Sequence, residues 1–286
     1  NHPRKPFNVI ALNRMSERGD NISYDSLGNA RHPLRRFALH DLAISPMTFT
    51  LIYIHVGDDE HRALARQFSR SYHKHPPGIE HSTVIVMQGG VLTDEMNALF
   101  AKLPNCRIIP NDGVGKDIGA YLKISRRLTS DWMVCFGGST FVRRQGWMAR
   151  MAEAAQKHGS GLYGPTASYQ ISPHLNTTGF WCPASLFASS TRNVVTRNHR
   201  YDFEHGPNAF WKEIAFKRKL PVKMVTWDGE YNWPEWRTGN NIYHRGDQSN
   251  CLTFFRHSLN YELASPFYKA AYEKAADTLV DAAFKR

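Results

Sequence analysis

Acidic residues are in short supply. Against 36 lysines and arginines stand 25 aspartates and glutamates, which leaves a formal charge of +11 at neutral pH and a pI near 9.6. That balance suits a polyanionic neighbour: nucleic acid, anionic lipid headgroups or a sugar diphosphate. The cations, however, come in short scattered groups (Arg35-Arg36, Arg126-Arg127, Arg143-Arg144, Lys217-Arg218-Lys219) and form no single basic arm. Strands with interleaved basic and aromatic residues are missing too, so a nucleic-acid-binding protein is a rival reading that rests on charge alone. Cysteine is scarce, with Cys106, Cys135, Cys182 and Cys251 widely spaced and no C-x-x-C pair, which points to reduced, structural thiols and a reducing compartment. No run of about 18 apolar residues exists to span a membrane. Asn1-His2-Pro3-Arg4-Lys5 lacks the apolar region of a signal peptide. The expectation is a cytoplasmic protein, with peripheral contact at the inner face of the membrane as its accompaniment. Repeats and low-complexity tracts are absent. The chain does not begin with Met, as a processed chain or a part excised from a longer one would not.

What is present reads as globular α/β. A chain of 286 residues, 42% hydrophobic and 12% aromatic, can bury an ample core. Residues 1–47 are polar and turn-rich, with one strand-like stretch at Phe7–Leu12, and read as an extension or linker. From Thr48 strands alternate with helices. Strands are expected near 50–56, 82–87, 107–110 and 132–136. Asp58 and Thr93 stand ready to cap the first two helices, each followed by apolar residues at helical spacing. Such alternation implies a mostly parallel sheet flanked by helices. A Met and Ala stripe (Met148, Met151, Ala152, Ala155) reads as core. Beyond Ser168 the alternation lapses, although Val222–Trp227 reads as another strand. The domain is expected over 48–264, divided near 166 into two halves, with a closing amphipathic helix over 265–286.

The organising stretch is Cys106–Trp147. A short strand runs into the turn Asn111–Gly115, then a helix with Ile118, Tyr121, Leu122 and Ser125 on one face, then the apolar run Trp132–Phe136, which stops at Gly137-Gly138-Ser139-Thr140. Glycines at the carboxyl end of a buried parallel strand leave room for a ligand at the backbone. This order of motif, helix, strand and small polar turn resembles the nucleotide-sugar half of GT-A fold glycosyltransferases. Within them it is closest to the branch around family two and the rhamnan-synthesis enzymes. Asn111, Gly115, Lys116, Asp117, Gly119 and Ala120 stand at that branch's N-x-G-x-D-x-G-A-like motif, and the likeness covers about residues 48–255. The resemblance implies a GT-A-like (Rossmann-like) fold, a nucleotide-sugar donor, a glycan acceptor (lipid-linked in a growing chain) and inversion at the transferred carbon. In one place the chain departs from the family. Gly137–Thr140 stands where most of these enzymes carry Asp-x-Asp for a divalent metal, so no metal ligands are assigned and no cofactor is expected. A domain that keeps the fold without catalysis is the further alternative.

Several constellations follow from this placement. The amino end of the helix after Asn111 presents backbone N–H groups and a partial positive charge suited to a diphosphate. Lys116 adds a full charge there, and Asp117 can accept from a ribose or base. His55, Gly57 and Gln88 end the first two strands beside it. Gly138, Ser139 and Thr140 offer amides and hydroxyls to phosphate or sugar. His244 and Arg245 stand where a late histidine would sit, to neutralise the leaving diphosphate. Asp202 and Glu204, read as lying just before a helix, occupy the place of the resembling enzymes' catalytic base, with Glu204 the first choice and Asp202 the second. Tyr169, Trp181 and Trp233 are candidates for stacking on an acceptor sugar. His199, Asp202 and His205 lack the spacing of a metal site.

Overall fold

The structure, a computed structural model, describes residues 23–24, 30–31, 47–238 and 242–284. Contacts divide the chain into units 1–46 and 47–286. In the first, Ser23–Tyr24 pairs antiparallel with Ala30–Arg31; the strand expected at Phe7–Leu12 lies outside the described residues. The second unit holds the sheet and its helices.

Eight strands make that sheet: β1 Phe49–His55, β2 Ser82–Gln88, β3 Cys106–Asn111, β4 Trp132–Phe136, β5 Leu162–Gly164, β6 Gly179–Pro183, β7 Val222–Val225 and β8 Glu230–Asn232. Their order is β8-β7-β5-β6-β4-β1-β2-β3. β1 pairs in parallel with β2 and β4, β2 with β3, and β5 with β7. β6 runs antiparallel between β4 and β5, and β8 is antiparallel to β7. The sheet is therefore mostly parallel, as the alternation predicts. The antiparallel direction of the inserted β6 was not legible, because its segment reads the same in either direction.

Side chains of β1 alternate between the two faces. Leu51 and Tyr53 join a core with α1 (Asp59–Lys74), α2 (Asp94–Phe100) and α4 (Trp147–His158). Ile52 and Ile54 join another with α3 (Lys116–Ser125), α5 (Ala184–Ala188), α6 (Arg197–His205) and α7 (Phe210–Lys212). α7 continues as a π-turn over Glu213–Lys217, and α8 (Arg256–Leu263) and α9 (Pro266–Phe284) close the chain. The expected caps form: Asp58 accepts from the His61 amide at 2.8 Å and Thr93 from the Met96 amide at 3.3 Å. None of the described helices is long and apolar enough to cross a membrane.

The first correction concerns α6. The stretch containing Asp202 and Glu204 is not a lead-in to a helix but the helix itself. Thr196 caps it, accepting from the His199 amide, and Gly206 ends it. Glu204 sits in its last turn.

At the β8 end of the strand order, one ion cluster pins the sheet to α4. Glu230 on β8 accepts from Arg150 at 2.8 Å, Lys157 at 2.9 Å and His158 at 2.5 Å, all from α4. Burial works against its charge, but these hydrogen bonds outweigh it and hold the carboxyl down at about 2. Because the folded value lies below the unfolded one, the contribution is complete above the ordinary carboxylate range and fades as pH falls towards 2. Glu230→Gln should cost at most about 3 kcal/mol at pH 7, and its unfolding free energy should fall less steeply than the wild type's between pH 5 and pH 2. Parallel acid titrations of stability for the two proteins would refute this account.

Candidate functional site

The carboxyl ends of β1 to β4 share one edge. The strand order reverses between β1 and β4, with β2 and β3 running outward from β1 and β4 on its other side. In open α/β sheets the crevice outside such a reversal is where ligands bind. His55 ends β1, Gln88 ends β2, Asn111 ends β3, and Gly137–Thr140 follows β4.

The turn from β3 into α3 needs its glycines. Gly115 has φ 75°, in the left-handed region, and a Cβ there would lie 1.9 Å from the Val194 carbonyl oxygen. The Gly115 amide donates to the Val195 carbonyl at 3.2 Å, so the loop before α6 packs on the start of α3. Gln88 Nε2 donates to the Lys116 carbonyl at 2.8 Å, tying the ends of β2 and α3, while the Lys116 side chain is exposed. Asn111 accepts from Lys123 at 3.4 Å, and its buried Nδ2 has no partner.

Asp117 does not stand open to a ligand. Arg200 of α6 grips both its oxygens, at 2.6 and 3.1 Å. The same guanidinium donates to Glu204 Oε2 at 3.0 Å and to the Thr177 hydroxyl at 3.2 Å. Thr177 in turn gives its amide (3.1 Å) and hydroxyl (2.7 Å) to Glu204 Oε1. Buried His174 places Nε2 3.8 Å from that oxygen. Burial opposes the charge of Glu204, yet Arg200, His174 and Thr177 together hold its carboxyl below the ordinary range. Burial opposes the charge of Arg200 as well, and Asp117 and Glu204 more than restore it. Burial lowers His174 below the usual imidazole range. With both oxygens of Glu204 accepting, and the side chain 8% exposed, this carboxylate is an anchor between α6 and the loop at Thr177. Asp202, also on α6, is exposed.

At the end of β4 the Gly138 carbonyl accepts from buried Tyr53 at 2.7 Å, and Thr140 spends its hydroxyl on the Thr178 carbonyl at 2.7 Å. Gly57 and Gly90, in the turns after β1 and β2, approach so closely that a Cβ on either would meet the other's backbone within 2.8 Å. His55 is 1% exposed and neither ring nitrogen has a partner. Its imidazole is pushed down to about 4 by burial, with His61 adding to the effect.

The remaining candidates lie elsewhere. His244 packs its ring on Tyr243 (3.7 Å between centroids) and Tyr272 (4.6 Å), and burial, then His257, pushes it down to about 4. Its ring contacts, with Tyr243, Tyr261 and Tyr272, belong to the neighbourhood of α8 and α9, and Gln248 donates to the Arg245 carbonyl at 2.7 Å. Trp181 is 0% exposed and stacked on Tyr163, so it presents no face to a sugar; it is core. Tyr169 is 2% exposed, next to the half-buried Trp233, whose ring packs with Trp211 and Trp236. Among the described residues no group of three or more His, Cys, Asp or Glu could hold a metal ion.

One element of the site escaped the sequence reading and another showed only in part. Arg200 stands four residues before Glu204, a spacing at which the two can pair along one helical face, but its hold on Asp117 is set by tertiary contact alone. His61 stands three residues after its cap Asp58, and its ring nitrogen Nδ1 lies 2.7 Å from Asp58 Oδ1.

No protein-family model and no curated protein matches the chain. Among solved structures it is similar to residues 1–349 of TarS from S. aureus, at 12% identity and TM-score 0.38, over 49% of this chain and 48% of that one. It is also similar to the mannosyltransferase PcManGT from Pyrobaculum calidifontis in complex with GDP-Man and Mn2+ (10%, 0.38, over 48% and 45%). A third is the galactosyltransferase LgtC in complex with donor and acceptor sugar analogues (12%, 0.38, over 49% and 60%). Each of these matches spans less than two thirds of the neighbour's length.

Proposed function

We propose that this chain is a GT-A-like glycosyltransferase that moves a hexosyl or deoxyhexosyl group from a nucleotide sugar to a cell-surface glycan acceptor, lipid-linked in the growing chain. The observation that carries the reading is the reversal of strand order at β1/β4, whose carboxyl edge bears the glycine turn into α3 and the Gly137–Thr140 turn. Exposed Lys116 is the cation placed on the diphosphate. In an inverting transfer the acceptor oxygen bonds to the sugar carbon as the bond to the diphosphate oxygen breaks, and a carboxylate takes the acceptor proton. Of the two carboxylates on α6, that role suits Asp202, because the oxygens of Glu204 are already engaged. The excess of basic residues suits a glycan carrier held at an anionic membrane surface.

Gly137–Thr140 contains no carboxylate, and a hard cation needs several oxygen ligands. Donor binding is accordingly proposed to need no divalent cation. In a thermal-shift panel of UDP, GDP, CMP and dTDP sugars, one family should stabilise the protein by about 2.7 kcal/mol at ~100 times its dissociation constant, equally with EDTA or manganese. Stabilisation that disappears in EDTA and returns with manganese would overturn the metal-free reading. A panel with no stabilising nucleotide would overturn the donor itself. The engaged state of Glu204 favours a second reading, a donor-binding domain without turnover, which sugar transfer at α6 carboxylate-dependent rates would exclude.

A further inference from the structure

We propose that His61, with Nδ1 held by Asp58, is an anion ligand of the β1/β4 crevice that takes the diphosphate of the nucleotide; this rests on the donor site proposed above. The residue lies in the first turn of α1, on the path out of β1. Its ring lies against the turn after β4. A Cβ built on Gly138 would sit 3.1 Å from its Cδ2 and 3.7 Å from its Nε2. Only the lack of a side chain at Gly138 lets the ring approach this closely. The ring thus stands at the point where the strand order reverses, and its side chain is 27% exposed.

The orientation of the ring is fixed from behind. Asp58 Oδ1 accepts from the His61 amide at 2.8 Å and lies 2.7 Å from Nδ1. These two bonds hold the Asp58 carboxyl below its ordinary range, so it remains an anion. A carboxylate on Nδ1 favours the ring proton there and leaves Nε2 as the corner facing outward. When protonated, Nε2–H donates to an oxyanion, and the ring then carries a positive charge.

His55, at the end of β1, lies behind this ring. It is 1% exposed, packs edge-on against Phe100 of α2 with 5.2 Å between ring centroids, and feels the charges of His61, Asp58 and Arg62. The other charges around His61 are already committed. Arg62 donates to the Gly57 carbonyl at 3.1 Å and pairs with Asp59, and Glu60 pairs with Arg256 of α8. The turn after β4 brings no carboxylate to repel an anion.

Titration calorimetry with UDP, GDP and inorganic pyrophosphate tests the proposal. The wild-type protein should bind at least tenfold more tightly than His61→Gln. Asp58→Asn keeps a helix cap, since Asn and Asp cap about equally well. It should retain the fold, checked by its melting temperature, and weaken binding by releasing the ring from its carboxylate. A purely structural capping pair would give variants whose affinity equals that of the wild type. That result, with nucleotide still bound, overturns the role of His61 and leaves the donor site standing. Pyrophosphate bound in a His61-dependent way with no nucleotide bound would keep the anion site and overturn the nucleotide-sugar reading. Absence of all binding overturns both.

Discussion

Arg200→Met is expected to cost the protein about 3–5 kcal/mol, because it strands two buried carboxylates that one guanidinium now neutralises. Asp117 and Glu204 come from different helices, and their side chains are 16% and 8% exposed. With Arg200 gone, each loses a charge-assisted bond and the two anions are left to repel each other. The deficit should be largest at neutral pH and smaller in acid, where the stranded carboxylates can take up protons. Glu204 has its folded titration held low by Arg200 among others, so the wild type loses that advantage as pH falls. Chemical denaturation at pH 7 and pH 5 measures both effects. Adding Asp117→Asn and Glu204→Gln to Arg200→Met should recover part of the loss, since a buried ion group replaced as a unit is often nearly neutral. A single-variant loss below about 1 kcal/mol would mean that water, not Arg200, solvates these carboxylates.

That cluster also explains what the sequence made legible and what it hid. The four parallel strands could be read because each is a short apolar run between turn residues, and both early caps could be read because Asp58 and Thr93 precede helical periodicity. The β3-to-α3 turn was legible for a similar reason. Gly115 is the residue type that a left-handed turn against the Val194 carbonyl demands. Long-range pairing was not legible. Asp117 and Arg200 are 83 residues apart, so the sequence offered Asp117 as a free ligand group when it is one end of a bidentate ion pair. Reading the helix as starting only after Glu204 also put that residue before a helix instead of inside α6. Trp181 stands in the apolar run Phe180-Trp181-Cys182, and the antiparallel register of β6 places it beside Tyr163 in the core. Tertiary context decides such residues, since local pattern is the same for a ligand group and for a structural one.

The α6 carboxylates give the other large effect. Asp202→Asn should lower sugar transfer by ~10²–10⁴ with donor affinity and melting temperature unchanged, the usual cost of removing a general base. Glu204→Gln should behave differently. Its two oxygens accept from Thr177 and Arg200, and burial opposed by those partners keeps it a carboxylate whose proton affinity is below the ordinary range. A base works best when its affinity for the proton matches the working pH, so Glu204 is poorly placed for the task. The amide would still accept from Thr177 but would lose the charge facing Arg200, at a cost of about 1.5–3 kcal/mol in stability. Any fall in transfer should then follow the folded fraction and recover on cooling or with added donor. The paired measurement is turnover, donor affinity and unfolding free energy for both variants. A folded, donor-binding Glu204→Gln that fails to transfer, beside an active Asp202→Asn, would assign the proton to Glu204 and show that its bonds to Thr177 and Arg200 rearrange when acceptor binds. Full activity in both variants would remove the base from α6 altogether and point to a retaining transfer or to a carboxylate on another element.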